Sequence, residues 1–276
     1  DYLTVLAPKG APGMSLLGYY ATAKDQNVIT TMDGADALTA ALTAPNSEYD
    51  IVIAPVNLGA TLISKGATEY RLAGVVTWGN LYLVSSDETV TIDTVTDMIA
   101  FGQNAVPNKV LNTVFEGKEV NIEWFNATSD VAAALLSGQY TTGVVAEPVC
   151  TNVLAKSEGT FKLVGDFQQA WKDVTGLENY PQAAVFVKPA AYAEKKEAYE
   201  AIFANMAAYA PKDIDTLKAD MDAVGQEALG VPSASMTMDT FNRMNVKFTP
   251  AADCKEAIER FLQTFGLSDF TNLYNE

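Results

Sequence analysis

The chain contains no histidine among its 276 residues. That absence excludes Ser-His-Asp and Cys-His catalytic relays, an imidazole general base, and the histidine-rich sites that commonly hold zinc or iron. Cysteine is also scarce. Cys150 and Cys254 have neither a disulfide framework nor a metal-binding spacing, and each is predicted to be a small buried thiol. No apolar run is long enough to predict a membrane-spanning helix.

Positive charge is scarce as well. Lys and Arg total 18 against 34 Asp and Glu, which gives a formal net charge of −16. Charge of this sign opposes binding to nucleic acid or to an anionic membrane surface. A hydrophobic content of 49% with 19% charged residues predicts a folded globular protein, and the length allows one large core or two moderate ones. The chain begins at Asp1 directly before a predicted strand, and we expect an upstream export signal to have been removed.

Two segments of the chain, residues 36–66 and 130–159, follow the same plan. Each reads as an Ala- and Leu-rich helix, a polar turn, a short apolar strand and a proline that opens another helix. The strands are residues 51–54 and 143–146. A chain that builds the same α/β unit twice is predicted to form two similar lobes, and clefts between lobes are where small molecules bind.

Strands alternate with helices through both copies, which predicts an α/β fold with two mostly parallel sheets flanked by helices. The tail, residues 189–276, is predicted to be almost all helical and to belong with the first lobe. Lobe 1 is therefore predicted as residues 1–85 and 189–276, and lobe 2 as an insertion, residues 86–188. Two crossovers, near residues 83–86 and 184–188, are predicted to form a hinge.

The order of elements, the segments 50–55 and 146–148, and the return strand at 180–184 resemble the substrate-binding proteins of ABC importers. The NMT1/THI5-like group, with binders for nitrate, sulfonates, taurine and pyrimidine precursors, is the most similar. The resemblance covers nearly the whole chain. It implies a type II periplasmic-binding-protein fold that closes by hinge motion around one small organic molecule or anion. It also implies an exported, often lipid-anchored monomer that delivers the solute to a membrane permease.

No cofactor, metal or catalytic residue is predicted. The THI5-like enzymes that consume their own histidine differ from this chain, which has none. Two alternative functions stay open: an enzyme on the same fold, with Glu147 and Asp33 or Asp50 as acid and base, and a ligand-binding sensor domain. The arginines, Arg71, Arg243 and Arg260, are few for a binder of strongly charged anions. Backbone N–H groups at helix starts can nevertheless hold an anion alone.

In open α/β lobes, ligands bind outside the carboxyl ends of strands, facing helix N-termini. This rule selects the strand-to-helix turns, and nearby aromatic rings are candidates for stacking on a planar ligand. Glu147 is predicted to accept a hydrogen bond from a ligand amine or ring N–H. The predicted ligand contacts are Gly10, Pro12, Gly13, Met14, Ser15, Asp33, Pro55, Asn57, Trp78, Asn80, Gln103, Asn104, Asn126, Thr128, Glu147, Trp171 and Tyr180.

Several of these residues also have a purely structural explanation. A carboxylate at Glu147 is favoured by the dipole of the helix that follows it, whether or not a ligand is present. Asn57 and Asn126 lie where helix caps are expected. Tryptophan and tyrosine side chains, such as those of Trp78, Trp171 and Tyr180, are substantially buried in most proteins.

Overall fold

The computed structural model describes residues 2–276, so the expectation attached to Asp1 lies outside the described residues. The strands are β1 (Val5–Pro8), β2 (Ile29–Met32), β3 (Ile51–Pro55), β4 (Arg71–Trp78), β5 (Leu81–Ser85), β6 (Asp97–Phe101), β7 (Asn121–Phe125), β8 (Thr142–Ala146), β9 (Lys162–Asp166), β10 (Pro181–Val187) and β11 (Val246–Pro250). The helices are α1 (Ala11–Met14), α2 (Leu17–Thr22), α3 (Asp36–Thr43), α4 (Val56–Ser64), α5 (Val106–Val114), α6 (Thr128–Leu136), α7 (Val149–Lys156), α8 (Phe167–Thr175), α9 (Pro189–Glu194), α10 (Lys196–Ala208), α11 (Ile214–Val224), α12 (Gln226–Leu229), α13 (Met238–Arg243) and α14 (Lys255–Gln263).

The chain divides into two compact units. Unit 1 comprises residues 2–78, Pro181–Met238 and Val246–Glu276, and unit 2 comprises Gly79–Tyr180 and Asp239–Asn245. These boundaries differ from those expected from the sequence, because β5 pairs within the sheet of unit 2 and a short segment of the C-terminal tail returns to that unit.

The sheet of unit 1 has the order β11-β4-β10-β3-β1-β2. Strand β1 is parallel to β2 and β3, whereas β10 and β11 run antiparallel to the strands beside them. Alternate residues of β1 point to opposite faces. Val5 and Ala7 join a buried cluster with Tyr199 and Ile202 of α10. Helices therefore bury the apolar residues of this sheet, as an α/β layer requires.

The sheet of unit 2 has the order β7-β6-β8-β5-β9, in which β6 is parallel to β7 and β8, and β5 is antiparallel to β8 and β9. Its core joins Tyr82 and Val84 of β5 to Val131 and Leu135 of α6 and Val153 of α7. In both units, a parallel strand and an antiparallel strand flank the strand of the sequence repeat, β3 or β8. The predicted α/β class is confirmed, and both sheets are mixed.

Two elements differ from the sequence predictions. The tail is not almost all helical, because residues 246–250 form β11, an edge strand whose Phe248 stacks on Phe203 with ring centroids 5.1 Å apart. Residues 167–175 form a helix, α8, which the sequence did not predict; the Asp166 side chain accepts hydrogen bonds from two backbone N–H groups of its first turn. Among residues 2–276, no helix combines the length and apolar character needed to cross a membrane.

Candidate functional site

The carboxyl ends of three parallel strands lie side by side in unit 2. Strands β7, β6 and β8 end at Phe125, Phe101 and Ala146, and each is followed by the start of a helix. This is the edge that the strand-end rule selects for ligand binding in α/β sheets. Glu147 follows the central strand β8 directly, before a cis peptide bond to Pro148.

Glu147 is held on both its backbone and its side chain. Its backbone N–H donates to the carbonyl of Asn80 over 3.2 Å, and its own carbonyl accepts from Asn80 Nδ2 at 3.3 Å. Its Oε1 accepts from the backbone N–H of Thr151 at 2.7 Å and from the Thr151 hydroxyl at 3.0 Å. Its Oε2 accepts from Arg243 Nε at 2.8 Å, and the Glu147 side chain is 0% exposed.

Arg243 is the last residue of α13, and its side chain contacts this carboxylate although 96 positions separate the two residues in the sequence. Tyr82 donates its hydroxyl to the Arg243 carbonyl at 2.8 Å, and Asn245 Nδ2 donates to the Gly79 carbonyl at 2.5 Å, so the returning segment is bonded to unit 2 at two points. The Arg243 side chain stays 29% exposed. We call Glu147, Thr151, Thr240 and Arg243 the Glu147–Arg243 cluster; the two threonine hydroxyls are 2.7 Å apart.

The cluster changes the acidity of its neighbours. Burial lowers the pKa of Arg243, but the hydrogen bond to Glu147 and its negative charge outweigh burial, so the pKa is raised overall. Burial, followed by the charge of Glu147, raises the pKa of the Cys150 thiol to about 12. Burial, with the charges of Asp166 and Glu147, also raises the pKa of Tyr82. Neither Cys150 nor Tyr82 is therefore ionised near neutral pH, and neither is poised as a nucleophile.

Besides Glu147, three predicted contacts of unit 2 are buried. Asn80 forms the backbone and side-chain bonds to Glu147 described above. Trp171 and Tyr180 are both 0% exposed and pack edge to face, with ring centroids 5.4 Å apart. Tyr180 also donates its hydroxyl to Gln168 Oε1 at 2.5 Å. Because neither ring has an exposed face in this structure, the structure gives both a packing role.

Four other predicted contacts of unit 2 lie nearer the surface. Gln103, Asn104 and Asn126 are exposed in the turns after β6 and β7. Thr128 is partly exposed, and its hydroxyl accepts from the backbone N–H of Ala146 at 3.0 Å, which ties the start of α6 to the end of β8. The structure thus brings Thr128 and Glu147 to the same strand end.

In unit 1, the predicted glycine turn opens α1. Gly10 has φ +93°, a conformation that favours glycine, and its N–H donates to the Leu229 carbonyl at 2.8 Å. Ser15 is buried and donates its hydroxyl to the carbonyl of Pro12 at 2.5 Å. Gly13 and Met14 are buried as well. Of this turn, Gly10 and Pro12 are the predicted contacts that remain partly exposed.

The other predicted contacts of unit 1 lie at the ends of β3 and β4 or shortly after β2 and β3. Asp33 is exposed, and its carboxylate lies 3.7 Å from Lys9 Nζ. Pro55 directly precedes α4, Asn57 is its second residue, and both are partly exposed. Asn57 Oδ1 is buried without a hydrogen-bond partner among the described residues. Trp78 is partly exposed and donates its indole N–H to the Lys247 carbonyl at 3.1 Å.

Glu147 was predicted from the sequence as a site residue, whereas Thr151 and Arg243 were not. Thr151 had a local signal, because it lies one helical turn after Glu147, where its N–H is one of the free donors at the start of α7. Arg243 had none, since 96 positions separate it from Glu147. Among residues 2–276, no group of three or more His, Cys, Asp or Glu side chains is arranged to hold a metal ion.

The chain is similar to known proteins in its structure. No family model matches the chain, and no curated protein sequence matches it. A crystal structure of an ABC transporter from Parabacteroides distasonis matches with a TM-score of 0.77 and 19% identity, over 100% of this chain and 95% of that chain. The chain has the two-lobe fold of the periplasmic binding proteins. Two named binding proteins share it at lower identity.

The periplasmic aliphatic sulphonate binding protein SsuA from Escherichia coli matches with a TM-score of 0.68 and 13% identity, covering 96% of this chain and 87% of that chain. The periplasmic nitrate-binding protein NrtA from Synechocystis PCC 6803 matches with a TM-score of 0.60 and 11% identity, covering 95% of this chain and 80% of that chain. At these identities the likeness establishes the fold alone.

Proposed function

We propose that the protein is the solute-binding component of an ABC importer, which binds one small organic molecule or anion outside the cytoplasm and delivers it to a membrane permease. The observation that carries this proposal is the likeness over whole chains, 100% of this chain and 95% of the Parabacteroides structure. The strand order repeated in the two units supports it. Membership of the NMT1/THI5-like group, a lipid anchor and a monomeric state belong to the same proposal.

We place the solute contacts at the strand carboxyl ends of the two units. The partly or fully exposed predicted residues there are Gly10, Pro12, Asp33, Pro55, Asn57, Trp78, Gln103, Asn104, Asn126 and Thr128. Asn57 supports this placement, because a buried amide oxygen without a partner costs free energy that a ligand donor would recover.

We further propose that binding closes the protein by hinge motion. The chain passes from one unit to the other after Trp78, Tyr180, Met238 and Asn245. Short passages of this kind can absorb the backbone rotations of a hinge. Because the solute would contact both units only in the closed state, its binding would shift the population towards that state.

The test is a thermal-shift screen on protein freed of solute by unfolding and refolding. The panel holds sulfonates, nitrate, aminopyrimidines, thiamine, riboflavin, amino acids and polyamines. A solute at about 100 times its Kd adds roughly 2.7 kcal/mol of stability, which is readily visible. We expect one class to raise Tm, with no chemical change in the recovered solute. Refolded protein that gains no stability from any compound, and native protein that releases no small molecule on denaturation, would together contradict the proposal.

A further inference from the structure

The Glu147 carboxylate has no capacity left for a solute. Both of its oxygens accept hydrogen bonds from Thr151 or Arg243, and its side chain is 0% exposed. A ligand amine would have to displace Arg243 to reach it, which would leave a guanidinium without its counter-charge. The sequence-based role of Glu147 as a direct acceptor therefore conflicts with the bonding around it.

Of the ion pair in this cluster, the Arg243 side chain is the one that keeps exposure, 29% against 0% for Glu147. Its Nε donates to Glu147 at 2.8 Å, and one terminal nitrogen lies 3.4 Å from the Thr151 hydroxyl. These two contacts use Nε and Nη2, and 29% of the side chain is exposed. A guanidinium carries five N–H donors in a planar fork, so donors remain available.

Arg243 is bonded to a residue of the predicted binding edge of unit 2. That residue, Glu147, directly follows β8, where Thr128 also lies. Two hydrogen bonds fix the segment that carries Arg243, and Glu147 fixes the guanidinium plane. A donor fork that is held in place before binding loses little freedom when a ligand arrives.

We propose that Arg243 is the solute-contacting donor of unit 2, that Glu147 is its positioning residue, and that the solute presents a carboxylate or sulfonate to the Arg243 fork. This inference rests on the proposed solute-binding function and deepens it. The chemistry follows from the guanidinium group, because its fork of N–H donors matches the paired oxygens of such anions. Neutral polar solutes lack the negative charge that the guanidinium attracts, and the guanidinium would repel positively charged amines.

The direct test measures binding of two anions, butanesulfonate and pentanoate, by calorimetry. Pentanamide serves as the neutral comparison compound, and butylamine serves as the cationic one. We expect at least one of the two anions to bind the wild-type protein, and the preferred anion identifies the oxyanion class. Arg243→Gln should weaken that binding about tenfold or more, as expected for a lost charge-assisted bond. Arg260→Gln is the matched control, since Arg260 is exposed on α14 and the substitution changes the net charge equally.

Glu147→Gln separates a positioning role from a direct one. The variant keeps the side-chain shape and an acceptor for Thr151, but it turns an amide NH2 group towards the Arg243 Nε–H and so removes the contact that positions the guanidinium. Anion affinity should therefore fall about threefold or more. A Glu147 that contacted a solute amine directly would instead lose affinity for butylamine on this change.

Two results would overturn the assignment of Arg243. One is equal anion binding by wild-type protein and Arg243→Gln. The other is failure of both anions to bind at about 100 mM, the range accessible to weak fragments. If a neutral or cationic solute from the thermal-shift panel binds instead, the solute-binding function stands and the Arg243 inference fails. Circular dichroism of each variant verifies that the fold is kept.

Discussion

The ion pair between Glu147 and Arg243 should stabilise unit 2, and its contribution can be worked from the geometry. Two unit charges about 4 Å apart attract by about 4 kcal/mol at an effective dielectric constant of about 20. The cost of desolvating Glu147 opposes this attraction, and exposure of 29% of the Arg243 side chain screens it. We therefore expect a coupling free energy of about 1–3 kcal/mol between the two side chains.

A double-mutant cycle measures this coupling. The variants are Glu147→Gln, Arg243→Gln and the double substitution, each unfolded in urea at neutral pH without solute. All are made in a Trp78→Phe background, because Trp78 belongs to unit 1 and the remaining tryptophans, Trp124 and Trp171, belong to unit 2. Fluorescence then reports unit 2, which matters because proteins with two units need not unfold in one step.

The control is the pair Lys118–Asp93, also in unit 2. Its Nζ and Oδ1 atoms are 3.2 Å apart, but the two side chains are 44% and 88% exposed. Exposed pairs contribute about 0–1 kcal/mol, so the coupling here should be close to zero. If the Glu147–Arg243 coupling is below about 0.5 kcal/mol and no larger than that of the control, the buried-pair reasoning is wrong.

Three further outcomes follow from packing and burial. Gly59→Ala should destabilise unit 1 by about 1–3 kcal/mol, because the new Cβ would lie 2.0 Å from Phe186 Cζ. Gln168→Ala should destabilise unit 2 by about 2–4 kcal/mol, since its amide bonds the N–H and carbonyl of Leu81 as well as Tyr180. Cys150 should resist alkylation at pH 8, because burial raises its pKa to about 12 and leaves a thiolate fraction of roughly 10⁻⁴.

Each of these has its own check. Urea unfolding of Gly59→Ala should be partly rescued by adding Phe186→Leu, and a stability equal to wild type would contradict the predicted clash. Tyr180→Phe, which removes one of the Gln168 bonds, should cost less than Gln168→Ala; the reverse order would refute the argument. Mass spectrometry after iodoacetamide should find Cys150 unmodified in native protein and modified in urea, whereas rapid native labelling would show an accessible thiol.

The sequence alone was sufficient for the fold class and for most strands and helices. The repeat around residues 51–54 and 143–146 is local, and the two copies became β3 and β8, in corresponding positions of two separate sheets. Patterns of this kind survive in the sequence because each strand and helix must bury its own apolar face. The edge strand β11 left no comparable pattern, because Phe248 is its one buried residue.

Glu147 illustrates the limit of sequence reasoning at the candidate site. Its place before a proline, at the end of an apolar strand, showed that a carboxylate would lie at a strand carboxyl end. Whether that carboxylate was free or bonded depended on Arg243, which is 96 positions away, in a segment that returns to unit 2. Local sequence specifies where a side chain lies on its own element. Only the tertiary structure decides which distant charge it meets, because that contact depends on how the whole chain is threaded.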